Sequence, residues 1–255
     1  MAHPVIKGAE PFAHAGGPGG ALVLHGFTGN PSSLRRVAEA LAARGLSVEM
    51  PLLPGHGTDM SDLLDKGWSD WAAAAEDALA SLEKRSDEIV IVGLSAGGSL
   101  ACLLAESHPE IRGLALVNPF VEPPAESFRD VLRGLLDSGE TVAPGIGSDI
   151  AKPNVTELAY SGTPLGAALS LFEGLDDISK RLDSIKCPVL LFTSRDDHVV
   201  PTSSSDLLAS SVSGAVERVH LERSYHVATL DYDGEEILER IVDFVVGLVP
   251  VAERK

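Results

Sequence analysis

The chain has 255 residues, 44% hydrophobic and 22% charged, enough apolar material for one substantial core and too ordinary for a disordered, collagen-like or coiled-coil body. Its 20 Lys and Arg face 37 Asp and Glu, and the resulting net charge of −17 repels phosphate backbones and anionic headgroups. Nucleic acid is therefore excluded as a natural partner, whereas a neutral substrate is indifferent to that field.

In chain order, Met1 to Gly8 carries no long apolar run of a leader. Leu22-Val23-Leu24 is a first continuous apolar run, and a helix is predicted from Pro31 to Ala43. A second helix is predicted from Trp68 to Lys84, a strand from Ile89 to Val92, a third helix from Ala96 to Ser107 and a strand from Leu114 to Val117. Such runs suit strands buried on both faces of a parallel sheet. The alternation then breaks. From Val121 to about Ser179 no strong strand is expected, Pro and Gly are frequent, and Glu126 to Leu136 and Thr156 to Phe172 read as helical. Strands resume at Val189 to Phe192 and Val216 to Leu221, and Glu235 to Leu248 closes the chain with one apolar helical face. The pattern predicts a single α/β domain over residues 1–255 with a mostly parallel sheet, and a cap insertion at about 121–179. The late apolar stretch Ile241 to Val251 is too short to cross a bilayer and is interrupted by Asp243. Two cysteines, Cys102 and Cys187, form no disulfide framework, and a soluble cytoplasmic protein is expected.

Gly93-Leu94-Ser95-Ala96-Gly97 fits G-x-S-x-G between a predicted strand and a predicted helix. A serine on such a turn is forced into strained backbone with its hydroxyl above the sheet, and flanking Cβ atoms would collide where strand and helix nearly touch. The hydroxyl needs a base and an orienting carboxylate, in the chain order Ser, Asp, His. Asp196 and Asp197 follow the strand Val189 to Phe192, and His226 follows Val216 to Leu221, both beyond strand carboxyl ends. Adjacent residues of an extended segment point opposite ways, so one acid faces the imidazole; Asp197 is preferred and Asp196 is left to the surface. Two backbone N–H groups must hold the oxyanion: Ala96 at the positive end of its helix, and Phe27 in the loop Leu24-His25-Gly26-Phe27-Thr28-Gly29. His25 and His56 sit in Gly-rich turns and are expected to bond backbone. His198 is badly spaced to act as base, and His3, His14, His108 and His220 are expected to be incidental. No metal-ligand spacing occurs, so neither metal nor cofactor is expected.

These residues together resemble the α/β-hydrolase family, and within it the bacterial monoacylglycerol lipases and their carboxylesterase relatives. The likeness runs through His25-Gly26-Phe27-Thr28-Gly29, Gly55-His56-Gly57-Thr58, Gly93-Leu94-Ser95-Ala96-Gly97-Gly98, Asp197-His198-Val199-Val200-Pro201 and Ser224-Tyr225-His226-Val227-Ala228-Thr229-Leu230-Asp231. In the insertion, Ile146-Gly147-Ser148-Asp149 and Glu157-Leu158-Ala159-Tyr160 look like the cap of those lipases. The resemblance implies a Ser95, Asp197 and His226 triad, with Phe27 and Ala96 as oxyanion donors. It further implies that Ile146 and Glu157 line a glycerol pocket. Without it, Glu157 would read as an exposed residue of a cap helix. Ala96 stands where those relatives usually carry a larger Met or Leu, which leaves a roomier pocket floor. The expected activity is cleavage of a small neutral lipid ester, a monoacylglycerol, to glycerol and fatty acid, with transient lipid-surface contact through the cap. The rivals are a short- or medium-chain carboxylesterase with the same triad and a catalytically silent binding protein on this fold. Serine in place of aspartate at the turn argues against haloalkane chemistry.

Overall fold

The computed structural model describes residues 3–145 and 147–251. In chain order the elements are β1 (Phe12–His14), β2 (Gly19–Leu24), α1 (Arg35–Ala43), β3 (Ser47–Met50), α2 (Trp68–Glu83), β4 (Glu88–Leu94), α3 (Ala96–Ser107) and β5 (Gly113–Val117). They continue with α4 (Glu126–Asp137), β6 (Val142–Pro144), β7 (Gly162–Pro164), α5 (Leu165–Ile178), β8 (Val189–Ser194), α6 (Thr202–Ser211), β9 (Val216–Leu221) and α7 (Gly234–Leu248).

The main sheet has the strand order β1-β3-β2-β4-β5-β8-β9, parallel throughout except for β1, which runs antiparallel to β3. Successive strand residues feed opposite faces, so the continuous apolar runs serve two cores at once. Leu22, Leu24, Ile89, Ile91, Leu114, Leu116, Val189 and Leu191 face α2, α3 and α5. Ala21, Val23, Val90, Val92, Ala115, Val117, Leu190 and Phe192 face α1 and α7. The chain leaves β2 toward one face and β4 toward the other. The crevice above those two strands is the switch point where open α/β sheets hold ligands.

The excursion between β5 and β8 departs from expectation in two places. β6 and β7 pair as a short antiparallel ladder, a small strand element where none was expected. The helix predicted from Thr156 to Phe172 begins only at Leu165 and runs to Ile178, with Pro164 before its first turn. Residues 151–161 instead lie over the sheet top, held by tertiary bonds. Tyr160 Oη donates to the Gly55 carbonyl at 2.8 Å and accepts from Thr58 N–H at 3.0 Å, and Tyr160 N–H donates to Thr28 O at 3.1 Å. β1, β3 and α6 were not anticipated from the sequence. No helix among the described residues is long and apolar enough to cross a membrane.

Candidate active site

Ser95 joins β4 to α3 with φ 55° and ψ −120°, a left-handed conformation that a side-chain-bearing residue adopts only when its surroundings impose it. They do so through close approach. A Cβ at Gly97 would come 2.0 Å from the Leu24 carbonyl oxygen, and one at Gly93 would come 2.5 Å from that of Gly97. Ser95 N–H donates to Val117 O at 3.0 Å, and Ser95 O accepts from Gly98 N–H and Phe120 N–H, pinning the turn to strand and helix together. The loop after β2 passes directly over it: a Cβ on Gly26 would lie 3.3 Å from that of Ser95. Phe27 and Ala96 therefore flank the serine, with Ala96 opening α3 at the positive end of its dipole.

His226 Nδ1 meets Asp197 Oδ2 at 2.7 Å, and both side chains are almost fully buried. The other oxygen of Asp197 accepts from the N–H groups of Val199 and Val200, each at 2.8 Å, so the carboxylate is held in one orientation. Asp196 is exposed beside it. His226 and Ser95 line one cavity of about 670 Å³.

The cavity wall divides by chemistry. Thr28, Glu157 and Tyr160 bring polar groups, whereas Phe120, Phe128, Leu132, Leu171 and Phe172 are apolar, the three phenylalanines in mutual edge or tilted contact through Phe172. Glu157 is half-buried in the non-helical stretch over the sheet top, so the exposed cap-helix reading is corrected. Its carboxylate lies against Gly29, where a Cβ would come 2.8 Å from Oε1, and its N–H donates to Ser148 Oγ at 2.8 Å. Burial raises the Glu157 carboxyl above the ordinary carboxylate range, with the nearby His226 pulling the other way. Ile146 lies outside the described residues.

Behind the oxyanion loop, His25 and His56 are buried and stack edge-on against each other, and His56 against Trp71. Leu53 N–H donates to His25 Nε2 at 3.1 Å, so Nδ1 carries the proton it gives to Gly26 O at 2.9 Å. Burial pushes His25 down to about 4, and burial followed by its neighbour His25 pushes His56 down to about 3. Both are neutral loop-shaping groups. His108, expected to be incidental, is half-buried with Nε2 2.9 Å from Glu76 and Nδ1 3.2 Å from Glu110. Glu83, His108 and Glu110 bring ligand atoms within 4.8 Å of one another, but both His108 ring nitrogens already face carboxylates, and the group is a surface ion-pair cluster.

Three residues in contact with this machinery carried no assigned role in the sequence reading. Asn118, directly after β5 with φ 45°, accepts from Ser194 N–H at 2.7 Å and donates to His226 O at 2.8 Å, tying the ends of β5 and β8 to the His226 loop. Asp149 and Asp231 tie the excursion to the His226 loop. Both lie in segments that carry the family resemblance, but an acid that bonds backbone leaves no spacing signal from which its role could be read.

A doubly wound parallel sheet with serine, histidine and aspartate on its carboxyl-end loops defines an α/β-hydrolase. The chain belongs to the family described as Hydrolase_4 (serine aminopeptidase, S33), whose model matches residues 19–233. It is 43% identical over 245 residues to a thermostable monoacylglycerol lipase of Bacillus sp. (strain H-257), covering 95% of this chain and 96% of that one. It is 27% identical over 242 residues to a carboxylesterase of Bacillus subtilis (strain 168), covering 94% and 97%. A solved structure from work on the metagenome-derived lipolytic enzymes LipS and LipT superposes with a TM-score of 0.91 at 39% identity, over 96% of this chain and all of that one.

Proposed function

We propose that this chain is an ester hydrolase that cleaves monoacylglycerols to glycerol and a free fatty acid. The observation that carries the proposal is the cavity beside Ser95 and His226, whose wall offers the Glu157 carboxylate on one part and an aromatic and aliphatic lining on another. Ser95 Oγ attacks the ester carbonyl as His226 takes its proton. Asp197 holds the imidazole with its proton on Nδ1 and supports the imidazolium. The N–H groups of Phe27 and Ala96 receive the oxyanion, His226 returns the proton to the departing glycerol, and water activated by the same imidazole releases the acid. Glu157 reads the glycerol hydroxyls, and the resemblance gives Ile146 the part of an apolar wall beside it. The likeness to the Bacillus lipase over nearly the whole chain supports the substrate class.

The chain is read as one domain in which residues 121–179 are the cap. Phe128, Val131 and Leu135 stand exposed along one side of α4, next to the cavity wall, and serve brief contact with a lipid surface. The free thiols of Cys102 and Cys187 support a cytoplasmic setting. The deciding experiment is a rate panel of mono-, di- and triacylglycerols, simple esters of matched acyl length, and aminoacyl anilides. Monoacylglycerols should lead it. Equal rates on short simple esters would favour a general carboxylesterase, and faster anilide cleavage would make the chain a peptidase.

A further inference from the structure

The two loops that carry Asp197 and His226 meet a third carboxylate. Asp149, buried in the excursion, extends one oxygen to two backbone amides: His198 N–H at 3.1 Å and His226 N–H at 3.0 Å. The first amide belongs to the residue directly after Asp197, and the second to His226 itself. Its other oxygen meets His198 Nδ1 at 2.8 Å, and its carbonyl accepts from Val227 N–H at 3.1 Å. His198 is pressed edge-on against Tyr225, 4.5 Å between ring centres, so the partner of that oxygen is itself held. Within the same stretch Ser148 Oγ holds the backbone of Glu157. One short segment of the cap thus touches the acid loop, the base loop and the polar part of the cavity.

We propose that Asp149 is a positioning residue for the hydrolytic reaction, a backbone clamp that fixes the distance between the loops bearing Asp197 and His226 and so couples cap placement to the competence of the base. The Asp197–His226 bond is short and links side chains from two loops that follow different strands, β8 and β9. Those loops are free to drift apart unless their backbones are tied, and a misplacement of about 1 Å at a reacting group can cost about a hundredfold in rate. A carboxylate is suited to the task because its two oxygens accept several N–H bonds at once, each strengthened by charge. Asparagine at 149 keeps the shape but offers one acceptor oxygen and turns the other position into a donor facing His198. Asp231 is the natural comparison. It holds the same segment through Ala151 N–H at 2.7 Å and Lys152 N–H at 2.9 Å, and reaches Tyr225 N–H at 2.9 Å, without contacting the amides of His198 or His226.

The proposal rests on the triad reading, and its test separates the two. Wild type, Asp149→Asn, Asp149→Ser and Asp231→Asn are compared for kcat and KM on a soluble ester, for the rate of Ser95 labelling by a fluorophosphonate, and for thermal unfolding. Asp149→Ser, too short to reach both amides, should lose about tenfold to a hundredfold in kcat and in labelling rate with KM little changed, and Asp149→Asn, whose one oxygen can still accept from both amides, should recover most of that loss. Asp231→Asn should lower the unfolding midpoint while its folded fraction labels at nearly the wild-type rate. Wild-type kcat and labelling in Asp149→Ser would overturn the clamp alone, as would equal kinetic losses in Asp149→Ser and Asp231→Asn. Failure of both Asp149 variants to fold would assign the residue to the framework instead. A wild-type protein that neither hydrolyses esters nor labels at Ser95 would overturn the triad reading, and the clamp with it.

Discussion

At the scale of single residues, the chemistry rests on a side chain held in a conformation it would not choose. Ser95 carries a positive φ because two close backbone approaches and three hydrogen bonds impose it, and no other nucleophile stands at that turn. Ser95→Ala should abolish ester turnover and fluorophosphonate labelling while leaving the unfolding midpoint near that of the wild type. Residual turnover above a trace would move the nucleophile elsewhere. Asp197→Asn should lower kcat about 10⁴-fold, because the amide favours the wrong imidazole tautomer. Asp196→Asn, altering an exposed neighbour, should cost less than about threefold, and a reversal of the two would reassign the acid. Glu157 separates substrates. Glu157→Ala should slow a monoacylglycerol about tenfold relative to the methyl ester of the same fatty acid, the worth of one hydrogen bond of roughly 1.4 kcal/mol. Equal effects on both esters would remove Glu157 from headgroup recognition.

At the scale of elements, α4 carries three exposed large apolar side chains, Phe128, Val131 and Leu135. It packs on α5, where Arg129 forms a paired contact with Asp176 and lies 5.9 Å above the Phe172 ring, while Val131 and Leu135 face solvent. Val131→Asp with Leu135→Asp should reduce the rate on an emulsified long-chain monoacylglycerol severalfold and leave a dissolved short-chain ester unaffected; parallel loss on both would deny the helix a surface role. What the sequence revealed follows the same physics. β2, β4, β5 and β8 announce themselves because residues buried on both faces leave unbroken apolar runs. β3 does not, since Ser47-Val48-Glu49-Met50 places an acid mid-strand, satisfied by Arg85 just past the end of α2 at 2.6 Å and by the Ser81 hydroxyl at 3.2 Å. α6 hides behind Thr202-Ser203-Ser204-Ser205, poor helix formers whose Ser204 hydroxyl is used to hold Pro119 and Val121. The stretch around Glu157 has helix-like spacing, yet its Leu158 carbonyl and Tyr160 N–H are bonded to Asn30 and Thr28, about 130 positions away, and long-range bonds outrank local propensity. The triad residues were legible from order and context, whereas Asn118, Asp149 and Asp231 act on backbone that no local pattern describes.

At the scale of the whole molecule, the buried His25 and His56 set how stability responds to acid. The unfolded chain protonates each near 6.5, whereas the folded chain resists protonation down to about 4 and about 3. Their contribution is fully present above pH 6.5 and is lost as pH falls through those lower values, with a slope of up to about 1.4 kcal/mol per pH unit for each histidine. Glu106 works the other way. Burial raises its carboxyl to about 7, so the folded chain holds a proton there that the unfolded chain releases above about 4.5, and its contribution is lost as pH rises toward 7. Relief of the −17 charge on acidification also favours the folded state. Net acid sensitivity is therefore muted between pH 6.5 and about 4.5 and steepens below. A comparison between variants isolates the histidine part from the rest. His56→Phe keeps an aromatic ring against Trp71 and His25 and removes a buried nitrogen, Nε2, that has no partner among the described residues. Denaturant unfolding across pH 7 to 4 should show the wild type losing stability more steeply than this variant, by up to one proton in the slope. Coincident slopes would mean that His56 protonates alike in both states, and that its neutrality is not what burial behind the oxyanion loop enforces.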